Sequence, residues 1–267
     1  MPLPSGKEYA AALKDFREGV ASLHVWPMLG WIEIKHRYRR SIIGPFWLTL
    51  SYGALIAGIG PLYGRLLQQD VASYLPYLTT GFIGWFLISG LLNESCSAFV
   101  NAESLIKQLK LPLTIHVLRV VWRNLIIFAH NLVIVVIVFF LYQPAIDWHV
   151  LLLPLGVLAI AVNGVWFGLL FGLLCARFRD IPLVVASVVQ LAFFLTPVMW
   201  RPEMLHGHRW AADWNPLFHF LEVVRGPVLG HDVALHSWAV VLGVTIVGYV
   251  VALFMFSRYR YRIAYWV

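Results

Sequence analysis

Six long apolar stretches restrict the folds open to this chain more than any other feature of its sequence. A helix needs about 20 mostly apolar residues to cross the hydrocarbon core of a bilayer. Five of the stretches meet that requirement, whereas the fifth in chain order is irregular because prolines fall at its end. We predict six transmembrane helices at residues 45–67, 74–92, 113–141, 150–176, 182–200 and 235–257.

The composition favours an all-α polytopic membrane protein. Hydrophobic residues make up 60% of the 267 residues, and charged residues only 12%. Soluble domains carry about 25% charged residues. A soluble globular domain is therefore excluded, and the six stretches are interpreted as membrane spans.

Positive charge divides unequally between the two sides of these spans. Residues 1–25 are mixed and polar, unlike a cleavable signal peptide, so we expect both termini in the cytoplasm. The predicted regions are a cytoplasmic N-terminus (1–44), a transmembrane region (45–257) and a cytoplasmic tail (258–267). As the positive-inside rule requires, the 20 lysines and arginines then lie inside, except for Arg65, Arg201, Arg209 and Arg225.

A basic cluster directly precedes the first span. It adds to the net charge of +7, but no nucleic-acid-binding motif accompanies it, and we predict no nucleic-acid partner. Upstream, Trp26, Leu29, Ile32 and His36 recur at near-helical spacing. This pattern predicts an amphipathic helix on the inner leaflet, although an ordinary anchor beside the membrane fits it equally well.

Two cytoplasmic segments are candidates for contact with a soluble partner. Apolar residues at helical spacing predict a short amphipathic helix between spans two and three. Between spans four and five, Arg179 and Asp180 form either a second contact or a simple turn. An exposed amphipathic face is a common docking device, and the residues that we expect on it are Asn101, Glu103, Ser104, Lys107 and Gln108.

The third span carries ionisable side chains along one helical face. His116, Arg119 and Arg123 lie at intervals of three and four. Ionisable residues within spans mark functional sites by default, so we predict that they bind an anionic headgroup; alternatively, the arginines extend to the aqueous interface. Tyr77 and Trp85 are candidates for stacking against sugar rings, although interfacial or core packing explains them too.

The fifth span breaks near its outer end. Pro197 and Trp200 lie at the break, and Asn215 and Pro216 then form a good helix start. The helix that follows, residues 216–225 with Phe218 on it, is too short to cross the bilayer. We predict that both pieces re-enter the outer leaflet and act as a gate.

Enzyme signatures are absent from the sequence. It contains no GxxxxGK[ST] phosphate loop and no GxSxG or HExxH motif, so we predict no catalytic residue and no bound cofactor. One His-x-His pair, His206 and His208, is poor grounds for a metal site, and we predict none. Cys96 and Cys175 have no partner spacing and are expected to be free thiols.

Several motifs together resemble a known family. RYRRSIIGPFW before the first span, NAESLIKQLKLP between spans two and three, ARFRD after span four, and LTPVMW followed by NPL are similar to the permease subunit of ABC-2 type polysaccharide exporters. The resemblance is strongest to the O-antigen branch, with teichoic acid and capsule exporters as relatives. It covers most of the chain.

The resemblance implies how such a chain works. It implies a homodimer in the bacterial inner membrane, paired with two separate subunits that hold ATP and Mg²⁺. Residues 26–40 would form the interface helix, residues 94–110 would couple to the ATPase, and residues 191–200 and 216–225 would gate a channel. The cargo would be a polysaccharide linked to a polyprenyl diphosphate.

Two other classes remain open from the residues alone. A gradient-driven transporter is expected to carry a buried carboxylate within a span, and no Asp or Glu lies in the middle of a predicted span. A membrane-embedded glycan transferase would need paired carboxylates on one face. Glu203, Asp213 and Glu222 do not form a convincing set.

Overall fold

The computed structural model describes residues 4–39, 41–44, 46–205 and 207–267. Arg40 and Pro45 of the basic motif, and His206 of the His-x-His pair, lie outside the described residues. Within the described ranges, the regular secondary structure is entirely helical. The predicted all-α class is confirmed.

Five helices are long and apolar enough to cross a membrane, and they match five of the six predicted spans. The last of them continues nine residues past the predicted boundary at 257, so residues 258–266 of the predicted tail are helical. These helices are α3 (Phe46–Leu66), α4 (Val71–Ser95), α6 (Thr114–Tyr142), α7 (Leu153–Arg177) and α11 (Leu235–Trp266).

The remaining α-helices are shorter. The irregular fifth stretch forms a helix of only 15 residues, followed by non-helical chain at residues 196–201. Short 3₁₀ segments precede α5 and α7. The shorter helices are α1 (Gly6–Ala21), α2 (Val25–Arg37), α5 (Glu103–Gln108), α8 (Ile181–Leu195), α9 (Trp210–Asp213) and α10 (Pro216–Val228).

Helix α4 forms the centre of the bundle. It packs against α3, α6, α7, α8 and α10, and most of its side chains are buried. Small residues permit these close approaches, because a Cβ at Gly84 would overlap the Leu221 side chain and one at Gly90 would overlap Asn124.

Helix α10 is wedged among long helices. It contacts α4, α7 and α11, and a Cβ at Gly156 of α7 would overlap the carbonyl oxygen of Val223. His219 is buried and lies within hydrogen-bonding distance of Ser237 Oγ (2.9 Å) and the Asp213 carbonyl (2.7 Å). The helix is thus fixed to the bundle along its whole length.

Helix α1 was not predicted from the sequence. Ser5 and Glu8 form a capping box at its start, a signal that is visible in the sequence as S-x-x-E. Asp15 accepts hydrogen bonds from the backbone N–H of Leu113 (3.0 Å) and Thr114 (3.0 Å) and from Arg260 (2.9 Å). A carboxylate from the first helix therefore caps α6 and binds the last helix.

Replacement of Asp15 by alanine is expected to lower the free energy of unfolding by about 3 kcal/mol, because it removes one partner of a buried ion pair and uncaps α6. The apparent melting temperature of the purified protein in detergent measures the effect. Glu18→Ala on the exposed face of the same helix is the control and should leave the melting temperature unchanged. Equal melting temperatures for the two variants would contradict the assigned role of Asp15.

Candidate functional sites

The two ends of the helix bundle differ in character. Helices α1, α2 and α5 and the end of α11 lie together at one end, which we call the termini end. Helices α9 and α10 and residues 196–205 and 207–209 lie at the other, which we call the loop end. Each end contains one arrangement of polar side chains that the fold assembles from distant parts of the chain.

At the termini end, two arginines of α6 bind one carboxylate of α2. Arg119 Nη1 lies 2.6 Å from Glu33 Oε1, and Arg123 Nη1 contacts the other oxygen of Glu33. The arginine side chains are only 4% and 7% exposed. They share a face because they are four residues apart, and Gly30 lets α2 approach, since a Cβ there would lie 3.0 Å from the Arg119 carbonyl.

A second carboxylate, Glu94, lies one residue before the end of α4. It accepts hydrogen bonds from Arg123 Nη2 (2.8 Å) and Asn124 Nδ2 (2.7 Å), and Arg37 Nη1 of α2 lies 3.3 Å away. The charges therefore form a single network joining α2, α4 and α6. We call it the ionic cluster, and its members are Glu33, Arg37, Glu94, Arg119, Arg123 and Asn124.

The ionic cluster contains two of the predicted headgroup-binding residues. Arg119 and Arg123 are each paired with carboxylates in this structure, so their guanidinium groups already have partners. His116 is fully buried one turn away, and neither of its ring nitrogens has a hydrogen-bond partner among the described residues. Helical spacing in the sequence identified the two arginines as site residues but did not identify Glu33, because nothing in the sequence indicated that α2 crosses α6.

A helix, α2, forms over most of the predicted amphipathic segment, but its buried face differs from the predicted one. Gly30 and Ile34 are buried, and Trp26 packs edge-on against Trp122 at 5.7 Å. Ile32 and His36, predicted to share the apolar face with Trp26, are exposed. The ion pairs to α6 set this rotation, because Glu33 must face inward.

The segment predicted to couple to the ATPase, residues 94–110, does not form a single helix. Helix α4 ends at Ser95, turns follow, and then come the 3₁₀ segment Val100–Ala102 and the six-residue α5. The break lets Phe99 insert fully into the core, where its ring contacts Gly172. The residues expected on the exposed face are exposed, namely Asn101, Glu103, Ser104, Lys107 and Gln108.

The two predicted partner contacts lie close together in space. A hydrogen bond from Lys107 (2.7 Å) lowers the pKa of Glu103, and the charge of Arg179 adds to the effect. Arg179 also donates to the Trp266 carbonyl at the end of α11 (3.4 Å). We call this exposed face, with Asp180 beside it, the coupling surface; its members are Asn101, Glu103, Ser104, Lys107, Gln108, Arg179 and Asp180.

At the loop end, Arg225 of α10 binds the chain that follows α8. Arg225 is 1% exposed, its Nη1 donates to the Pro197 carbonyl (2.7 Å), and its Nε donates to Glu222 (2.9 Å). The Tyr77 ring lies 4.3 Å from the guanidinium carbon, and the Tyr77 hydroxyl donates to the Trp200 carbonyl (2.9 Å). The Tyr74 hydroxyl donates to the Met199 carbonyl (2.7 Å). We call this set the loop clamp: Tyr74, Tyr77, Glu222 and Arg225 around residues 197–200.

The other predicted gating and stacking residues are distributed around the loop clamp. The helix start at Pro216 is confirmed, with Asn215 Oδ1 accepting from the Leu217 N–H (3.0 Å). Trp200 Nε1 donates to the Phe194 carbonyl (3.2 Å), and Phe218 is buried on α10. Trp85 is buried against Phe193 at 5.7 Å, so its ring packs in the protein core.

The two cysteines meet in the fold although they are distant in sequence. Cys96 and Cys175 are both buried free thiols, as predicted, and the Cys96 thiol lies 3.5 Å from the Leu92 carbonyl oxygen. Within the described ranges, no group of three or more histidine, cysteine, aspartate or glutamate side chains is arranged to hold a metal ion.

An all-helical bundle with several apolar helices of membrane-spanning length defines a multi-pass membrane protein. Residues 25–229 match the family model of the ABC-2 type transporter, and the chain belongs to that family. It is 24% identical over 240 residues to the O-antigen export system permease protein RfbA of Klebsiella pneumoniae, covering 87% of this chain and 90% of the relative. It is 25% identical over 168 residues to the protein of the same name from Myxococcus xanthus, covering 63% and 65%.

Proposed function

We propose that this chain is the membrane subunit of an exporter that moves lipid-linked polysaccharide across the bacterial inner membrane, driven by a separate ATP-binding subunit. Membership of the ABC-2 type transporter family and the export role named for the relatives support the transport role. The lack of a phosphate loop in the sequence supports a separate subunit that holds ATP and Mg²⁺.

The observation that carries the proposal is the position of the coupling surface beside the ionic cluster. Glu94 lies at the last turn of α4, and the coupling surface begins seven residues later at Asn101. A partner that displaces α5 therefore pulls on a segment tied by Glu94 to both α2 and α6. Force applied outside the membrane reaches the spanning helices through charged hydrogen bonds, which are stronger than neutral ones.

In this proposal α8 is the fifth of six spans. At 1.5 Å per residue its 15 residues cover about 22 Å, short of the hydrocarbon core, and the loop clamp holds the residues that complete the crossing. Residues 191–200 and α10 would re-enter the outer leaflet as a gate, with both chain termini in the cytoplasm. Irregular backbone is tolerated at membrane depth when protein covers it, as Tyr77 and Arg225 do here.

Two copies of the chain would enclose the passage. Apolar side chains of α8, including Leu183, Val188 and Leu191, are exposed on the isolated chain, and α3 is also largely exposed. These helices therefore have apolar faces available for a second copy or for lipid. A polymer is too long for an enclosed binding pocket, which favours a continuous channel between two copies.

The diphosphate of the cargo would bind at the ionic cluster. Arg37, with 44% of its side chain exposed, is the accessible guanidinium at its edge, and Arg119 and Arg123 lie behind it. A diphosphate would compete with Glu33 and Glu94 for these arginines through charge-assisted hydrogen bonds. Headgroup binding would thereby loosen α2 from α6.

Charge reversal on the coupling surface tests the role of the partner. The double variant Lys107→Glu and Arg179→Glu should weaken copurification of the ATP-binding subunit about tenfold, a loss of roughly 1.4 kcal/mol, and reduce surface polysaccharide. Lys14→Glu on the exposed face of α1 is the control. Normal copurification and normal export by the double variant would remove the coupling surface from the mechanism.

Reconstitution tests the function itself. Vesicles containing both subunits should move lipid-linked polysaccharide only when ATP is present, and vesicles containing this chain alone should move none. Transport by the chain alone would contradict the proposal and favour a gradient-driven transporter. Chemical modification of the glycan by the chain alone would favour a transferase.

A further inference from the structure

A large cleft opens at the loop end, apart from the ionic cluster. It lies between the start of α4, helix α10, residues 201–203 and Arg209, and its volume is about 710 Å³. Clefts of about 300–1,000 Å³ are typical of sites for small ligands. Neither the relatives' names nor the proposed gating role assigns a ligand to it.

The cleft presents both signs of charge in equal number. Among the described residues that line it, three carboxylates and three guanidinium groups occur, with no formal excess of either. Prolines at positions 76, 144 and 202 give it apolar surface as well. The charged side chains are Asp70, Glu203, Glu222, Arg201, Arg209 and Arg225.

The polar groups of the cleft are held in place before any ligand arrives. The loop clamp fixes Arg225 and Glu222, and Arg201 Nη2 donates to the Ser73 carbonyl (3.2 Å). The Arg201 guanidinium carbon lies 5.0 Å from the Tyr77 ring centre, and its Nε is buried without a hydrogen-bond partner among the described residues. A preorganised site loses less conformational entropy on binding.

We infer that this cleft binds an uncharged, polyhydroxylated segment of a glycan. Each sugar hydroxyl both donates and accepts hydrogen bonds, so adjacent carboxylates and guanidinium groups suit vicinal hydroxyls. A polyphosphate would face Asp70, Glu203 and Glu222, and an oligocation would face the three arginines. Pro144, the most accessible of the three prolines, offers apolar surface to the C–H faces of sugar rings.

The inference deepens the proposed function and rests on it for the source of the glycan. The cleft lies beside the loop clamp, at the end of the bundle opposite the coupling surface. It would hold a segment of the polymer that has already passed the residues proposed as a gate. The cleft thus supplies a holding site that opposes return of the polymer.

Binding of delipidated polysaccharide tests the inference. Mild acid hydrolysis of the surface polysaccharide from cells that carry this protein yields fragments without the lipid. Saturation-transfer NMR with the purified chain and its copurifying ATP-binding subunit should detect their binding. Ala72→Trp, at an exposed position lining the cleft, should weaken binding at least about tenfold, and Glu203→Ala should weaken it about tenfold.

A matched variant separates blocking of the cleft from a general effect of tryptophan. Ala211→Trp places the same side chain at an exposed position of α9 outside the cleft and should bind fragments like the wild type. Failure of the wild type to bind fragments, or equal binding by Ala72→Trp, overturns the inference.

ATP-driven export of surface polysaccharide, measured in cells with the same variants, distinguishes this inference from the proposed function. If the wild type exports polysaccharide but does not bind fragments, the glycan-binding role of the cleft is wrong and the proposed export function is unaffected. If the wild type binds fragments, Ala72→Trp abolishes that binding and the wild type supports no export, the glycan site in the cleft is supported and the proposed export function is wrong.

Discussion

Replacement of Glu94 by glutamine is expected to lower the free energy of unfolding by about 3 kcal/mol and to abolish ATP-driven export. Glu94 accepts hydrogen bonds from Arg123 and Asn124 and lies beside Arg37. The amide cannot balance their charge, so the buried guanidinium of Arg123 keeps only Glu33 as its counterion. Because Glu94 joins α2 and α6 to the end of α4, movement of the coupling surface would no longer reach the spanning helices.

The apparent melting temperature in detergent and the amount of surface polysaccharide measure these two effects. Glu103→Gln is the matched control, since Glu103 pairs with Lys107 on the exposed coupling surface and exposed pairs contribute little to stability; it should melt like the wild type. If Glu94→Gln melts and exports like the wild type, the ionic cluster is not the mechanical link.

Replacement of Arg225 by methionine is expected to destabilise the protein by a similar amount, about 3 kcal/mol, and to open the loop end. Methionine has comparable volume but cannot donate to the Pro197 carbonyl or to Glu222. The Pro197 carbonyl would keep the longer hydrogen bond from the Tyr77 hydroxyl (3.3 Å), and the partly exposed Glu222 would lose its counterion, which together cost free energy. Residues 197–200 would then keep their hydrogen bonds to Tyr74 and Tyr77 and the packing of Val198 in the core.

Leakage of a small dye from proteoliposomes without ATP measures the opening, and melting temperature measures the stability. Arg65→Met, at an exposed position at the end of α3, is the control and should change neither. Sealed vesicles containing Arg225→Met would show that the loop clamp does not close the passage, whatever its effect on stability.

The sequence predicted the spanning helices well because their length and apolar character follow from the bilayer alone. Boundaries of α3, α4, α6 and α7 lie within a few residues of the predicted ones. The exposed face of the coupling segment was also predictable, since its polar residues recur at helical spacing. Its division into a 3₁₀ turn and a short helix was not, because that depends on a pocket for Phe99 beside Gly172 of α7.

The ionic cluster could be predicted only in part. Spacing placed Arg119 and Arg123 on one face of α6, but Glu33 is 90 residues from Arg123 in sequence, and no local pattern relates them. The same limit applies to Arg225, whose acceptor at Pro197 is 28 residues away. The spacing of residues along one helix predicts which side chains share a face. Which residues of other helices contact that face depends on how the helices pack against each other.

The contact between Asp15 and Arg260 joins residues 245 positions apart and bears on the order in which the protein matures. Chains emerge N-terminal end first during synthesis, so α1 can dock on the start of α6 early but gains its contacts with α11 only when the final helix has been inserted. Until then the carboxylate of Asp15 lacks its arginine. A prematurely terminated product would hold α1 through α6 without the contacts of α11, so full docking of the first helix depends on insertion of the last.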